Sequence, residues 1–115
     1  MIYLLKSFKE AKDYNNTNNP WLSEEGVKEG KLLKLKNKLE EFDSCYSSFL
    51  LKDFGSALVV LGDKMVVDRC HELDSFTDKT LDFIKGLDHE KNILLVSNED
   101  VIKKINKNIE SIIIN

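Results

Sequence analysis

An α/β sandwich, three layers deep, with a mostly parallel central sheet and helices on both faces, is the fold that this 115-residue sequence predicts. Two observations carry that expectation. The runs Ile2-Tyr3-Leu4-Leu5 and Asn92-Ile93-Leu94-Leu95-Val96-Ser97 are apolar, of strand length and bounded by turn residues. Segments with helical spacing lie between and after them, and strands alternating with helices imply parallel pairing. The length suits one domain spanning residues 1–115.

The first strand starts right behind Met1, which predicts that it enters the sheet centre directly, and it is left by Lys6-Ser7-Phe8. In open α/β sheets ligands bind beyond the carboxyl ends of the strands, so these three residues stand where chemistry is expected. Residues 9–20 are polar, rich in asparagine and without period, and read as a loop. Tyr14 and Trp21 flank it and are expected to pack beneath it. Ser23 then reads as an N-cap with Glu24 and Glu25 in the first turn, starting a helix to about residue 41. Its apolar face is read as Val27, Leu32, Leu35 and Leu39, with close packing at Gly26 and Gly30.

Residues 42–47 predict a second strand, and Ser48 the cap of another helix from Phe49. Residues 57–67 fit either a hairpin, for their β-branched content, or a helix to about Leu61 followed by a strand at 65–67; the second is preferred. A polar loop follows at 69–75. Thr77 or Asp78 caps a helix carrying Leu81, Phe83, Ile84 and Leu87 and ending near Gly86. After the strand at 92–97, Asn98 caps a helix through Val101, Ile102 and Ile105, and residues 109–114 close the chain as an edge strand.

Composition removes several function classes. A net charge of −3 gives nothing that favours nucleic acid or an anionic membrane, and 42% hydrophobic with 32% charged residues is an ordinary globular balance. No apolar run reaches the roughly 20 residues of a membrane span, and the N-terminus lacks a signal-peptide pattern. Cys45 and Cys70 have no paired spacing and read as reduced thiols of a cytoplasmic protein. Cys70-His71-Glu72 with Asp74 invites a metal reading, but adjacent residues rarely converge on one ion, so no metal or other cofactor is expected. His89 reads as a solvated turn residue, and Lys103, Lys104 and Lys107 as the polar face of a helix.

Five segments together resemble the histidine phosphatase superfamily, the phosphoglycerate mutase-like fold. The family's first strand ends in Arg-His-Gly, where this chain has Lys6-Ser7-Phe8. Its Leu-Thr-x-x-Gly helix start is matched by Leu22-Ser23-Glu24-Glu25-Gly26. The run from Tyr46-Ser47-Ser48-Phe49-Leu50 to Lys52 and Ser56-Ala57 follows Tyr-Ser-Ser-Pro-Leu, Arg and Thr-Ala. A Leu-x-Glu loop is echoed at Cys70-His71-Glu72, and Val-Ser-His-Gly-Gly-Val-Ile at residues 96–102.

That resemblance implies a phosphate pocket of Lys6, Ser7, Lys52, Glu72 and Asn98, and the departures fall on its chemistry. The family's nucleophilic histidine is Ser7, weak without an adjacent base, and the sequence offers none. Its second histidine is Asn98, and its arginines are Lys6 and Lys52, which keep charge but lose the bidentate fork. Phe8 replaces a glycine where backbone should approach the ligand, and Glu99 and Asp100 replace glycines at a helix N-terminus. Only the proton-donor glutamate survives in type, as Glu72. The segment between Asp74 and Asp78 leaves no room for the helical lid of larger members. The expectation is a non-catalytic domain that binds an unknown protein or small molecule, with a vestigial pocket and no catalytic residue; a homodimer is left open. The alternative is a weak or altered phosphomonoesterase working through Ser7 and Glu72.

Overall fold

The computed structural model describes residues 1–12, 19–36 and 41–115. Its elements in chain order are β1 (Ile2–Lys6), α1 (Glu24–Lys36), β2 (Ser44–Ser47), α2 (Leu51–Leu61), β3 (Val67–Arg69), a 3-10 turn (His71–Leu73), α3 (Asp78–Lys85), β4 (Ile93–Ser97), α4 (Glu99–Asn108) and β5 (Ser111–Ile113). One five-stranded parallel sheet runs in the order β3-β2-β4-β1-β5. The expected α/β architecture is present, but β4, not β1, is the central strand. All five β4 residues are buried, as a strand covered on both faces requires.

Side-chain alternation sorts the core into two layers. Leu5, Leu94 and Val96 point to the face covered by α1 and α2, with Ala57, Val60 and Leu61. Ile2, Leu4, Ile93 and Leu95 point to the other, where Ile84 of α3 and Val101, Ile102 and Ile105 of α4 close over them. Among the described residues no helix is long and apolar enough to cross a membrane.

Several boundaries follow the sequence reading. Ser23 Oγ accepts from Gly26 N at 3.0 Å. Thr77 and Thr80 form a capping box, and Asn98 Oδ1 accepts from Val101 N at 3.0 Å. The segment 57–67 is helix and then strand, with Gly62 (φ 63°) ending α2. The strand itself starts at Val67 rather than Met65, because parallel register pairs Val67 with Cys45 and buries it while leaving Val66 in solvent. β5 likewise starts late, since Ile109 N still bonds to Ile105 O at 2.8 Å as the cap of α4.

The apolar face expected for α1 is different. Leu32 and Leu35 are 65% and 84% exposed. The helix turns Gly26, Val27, Gly30 and Leu33 inward, a tighter stripe in which two glycines let neighbouring elements come close. Residues 37–40, including Leu39, and 13–18, including Tyr14, lie outside the described residues. Trp21 is partly exposed and packs against Gly55 of α2.

Candidate ligand-binding crevice

Parallel strands deliver their C-terminal residues to one edge of the sheet. Lys6 pairs with Ser97, and beyond the strands Ser7 N donates to Ser97 O at 2.9 Å and Ser48 N to Val96 O at 3.2 Å. Ser7, Ser48 and Asn98 therefore leave three neighbouring strands side by side. The chain after β1 and β2 turns to one face of the sheet, and after β4 to the other. Where connections diverge in this way an open α/β sheet forms its crevice.

The positions singled out in the sequence have unequal fates here. Ser7 is half-buried and next to the start of Asn98, as the resemblance implies. Asn98 commits its side-chain oxygen to the α4 cap. Lys6 is exposed and lies close enough to Glu99 to help hold that carboxyl below its ordinary range, after the larger effect of Lys103. Lys52 Nζ stands 3.8 Å from Glu10 Oε2. Glu72 is half-buried on the 3-10 turn after β3, one residue before Leu73, whose carbonyl accepts from Ser97 Oγ at 2.6 Å, and its own carbonyl accepts from Thr80 Oγ1 at 2.7 Å. Glu99 and Asp100 pair along α4 with Lys103 and Lys104, both at 3.1 Å.

Phe8 does not stand in the crevice. It is 8% exposed, its ring rests against Gly30 inside the α1–α2 layer, and its N–H donates to Ser56 Oγ at 2.9 Å. Phe8 joins Leu5 in the core on the α1–α2 face, whereas the alternation that puts Ile2 and Leu4 on the opposite face would carry an even-numbered residue there too, so the chain leaves strand alternation after Lys6.

The sequence reading missed the residue at the floor of the site. Asp53 lies in the first turn of α2 and is fully buried. Ser48 Oγ donates a hydrogen bond to its Oδ2, while Oδ1 has no hydrogen-bond partner among the described residues. Burial pushes the Asp53 carboxyl above its ordinary range. The hydroxyls of Ser48 and Ser7 and the charge of Lys52 pull the other way, and Asp74 adds to the rise. The Ser7 hydroxyl lies near enough to this carboxyl to act on it as a hydrogen-bond donor. A signal for it exists in the sequence: Asp53 precedes Ala57 and Val60 at i+4 and i+7, so a charge sits on the apolar stripe of a helix.

The sign of that shift predicts a pH effect. A carboxyl with a raised folded-state pKa binds its proton more tightly in the native than in the unfolded chain, so it lowers stability as pH climbs above about 4. Asp53→Asn is expected to match wild type in acid and to exceed it by roughly 1–3 kcal/mol near neutrality. Urea titrations at several pH values measure the gap; a constant gap would show that the carboxyl does not titrate in the fold.

Cys45 and Cys70 are free, and burial pushes both thiols up to about 12. Among the described residues no group of three His, Cys, Asp or Glu is placed to hold a metal ion. His71 instead pairs its Nδ1 with Asp74 Oδ2 at 2.8 Å and stacks on Phe49 at 3.9 Å. Arg69 lies 4.9 Å over both the Phe49 and the Phe54 rings. His89 Nε2 is 2.8 Å from Ile84 O, at the end of α3.

At the level of sequence no family model matches this chain, and no curated protein matches it either. Solved structures do. The protein histidine phosphatase SixA complexed with tungstate superposes with a TM-score of 0.76 at 19% identity, over 91% of this chain and 73% of that one. A phosphoglycerate mutase from Bacillus anthracis gives 0.77 at 14% identity, over 95% and 79%. The α-ribazole phosphatase from Shigella flexneri gives 0.76 at 16%, over 93% and 78%. The fold is that of the histidine phosphatase superfamily. A histidine-phosphatase-like, phosphoglycerate mutase-like scaffold is therefore present from β1 to β5.

Proposed function

We propose that this domain is a non-catalytic histidine-phosphatase-like scaffold that binds a small molecule or a protein partner, with the phosphohistidine chemistry lost. The observation that supports the reading is the position of Ser7 and Asn98 side by side, each directly after the paired residues Lys6 and Ser97 that end β1 and β4. These are the two positions that the resemblance gives to histidines. A hydroxyl and a carboxamide there cannot form or hold a phosphohistidine, and the carboxamide oxygen is already the cap of α4. Lys6, Ser7, Lys52, Glu72 and Asn98 then make up a vestigial phosphate pocket. Glu72, on the turn after β3, keeps the type of a proton donor with no nucleophile to serve.

One observation favours the second reading, a weak phosphomonoesterase. Asp53 faces Ser7, so a base lies beside the hydroxyl after all. In that chemistry Ser7 Oγ would attack phosphorus as its proton passes to Asp53, the P–O bond to the leaving group would break, and Glu72 would protonate the departing oxygen. Hydrolysis of p-nitrophenyl phosphate separates the two. Wild type is expected to show no turnover above Ser7→Ala, and no acid-labile phosphate on the protein. Robust turnover that Ser7→Ala or Glu72→Gln abolishes would replace the scaffold reading with the enzyme.

A further inference from the structure

We propose that the crevice accepts a positively charged, hydrogen-bond-donating group, a primary ammonium, in place of a phosphoryl group, with the Ser7 hydroxyl as the acceptor it meets. This rests on the reading of the domain as a non-catalytic binding scaffold.

The devices that attract an anion are occupied from within. At the start of α4, Asn98 Oδ1 takes the N–H of Val101, and Glu99 and Asp100 fill the first turn. At the start of α2, Ser48 Oγ takes Leu50 N at 3.1 Å, Asn19 Oδ1 takes Leu51 N at 2.8 Å, and Asp53 fills the first turn. Lys52 faces Glu10, and Lys6 faces Glu99.

What is left over is an acceptor. Asp53 is fully buried, bonded by Ser48 at Oδ2 and neighboured by the Ser7 hydroxyl, and its Oδ1 lacks a hydrogen-bond partner among the described residues. A buried carboxylate oxygen in that state demands a donor. Ser7 supplies one by turning its O–H toward Asp53, and then only lone pairs of Oγ face the crevice. Those lone pairs repel phosphate oxygens and accept from an ammonium, whose charge the Asp53 carboxylate stabilises against the opposing charge of Lys52.

Amide chemical shifts of the full chain, titrated at constant ionic strength with putrescine and separately with inorganic phosphate, test this. Saturable shifts at Ser7, Ser48 and Asp53 are expected with putrescine and none with phosphate. Asp53→Asn should weaken putrescine binding at least about tenfold, the loss of one favourable charge contact. If that variant fails to fold, Ser7→Ala, which keeps the carboxyl and removes the acceptor, should lose the same response. Saturation of the wild-type crevice by phosphate, an unchanged putrescine response in Asp53→Asn, or no putrescine response at all would overturn the proposal. Failure of the underlying scaffold reading would appear separately, as turnover of p-nitrophenyl phosphate.

Discussion

Phe8→Gly is expected to destabilise the domain by about 3–5 kcal/mol, the range for removing a buried aromatic ring. The ring is 8% exposed and packs with Leu5, Leu22 and Val60 and against the face of Gly30. Little can collapse into its place, because both neighbouring helices are already drawn close by glycine. Total stabilities of such domains are about 5–15 kcal/mol, so this single change consumes much of the margin. Urea unfolding should show a lower midpoint with an unchanged slope. A loss below about 1 kcal/mol would instead place the ring outside the core. The consequence for the site is direct. Restoring a phosphohistidine centre through Ser7→His, Asn98→His, Lys6→Arg, Lys52→Arg and Glu99→Gly has to leave Phe8 in place.

This residue also marks how far the sequence could be read. Strand and helix order were legible because periodicity and capping report on each element separately. Asn98, Ser23 and Thr77 cap the helices they precede, and Ile2-Tyr3-Leu4-Leu5 and residues 93–97 are strands on the strength of their own apolar runs. The side-by-side exit of Ser7 and Asn98 followed from the fold that those elements imply. Facing relations were less legible. Phe8 reads as an obstacle to a ligand until the chain, leaving strand alternation after Lys6, turns its ring into the α1–α2 layer beside Leu5. Leu32 and Leu35 read as core until Gly26 and Gly30 show which side of α1 approaches the sheet. Asp53 hides because a carboxylate in the first turn of a helix is ordinary, and only its burial against Ser48 and Ser7 makes it part of the site. Each miss concerns a contact between elements distant in sequence, which local pattern does not encode.

Gly26→Ala tests such a contact with opposed expectations. By helix propensity alone alanine should stabilise α1 by roughly 1 kcal/mol. In the fold, a Cβ at Gly26 would stand 2.2 Å from the carbonyl oxygen of Lys9, a backbone atom without a rotamer to yield. That oxygen accepts from Ser23 N and from Ser23 Oγ, both at 3.0 Å, while Ser23 Oγ in turn caps Gly26 N at 3.0 Å. Moving the carbonyl aside breaks the joint between the strand that leaves the crevice and the start of α1. We therefore expect a net loss of about 1–3 kcal/mol, the reverse of the propensity effect. Gly86→Ala is the control, since its Cβ would meet nothing nearer than 3.5 Å, and it should stay within about 0.5 kcal/mol of wild type. The same joint positions Ser7, two residues before Lys9, so the amide shifts of Ser7 and Ser48 should move in Gly26→Ala and not in Gly86→Ala. Equal stability of Gly26→Ala and wild type would mean that Lys9 and Ser23 are not joined in this way, and that the floor of the crevice is set by Asp53 and Ser48 alone.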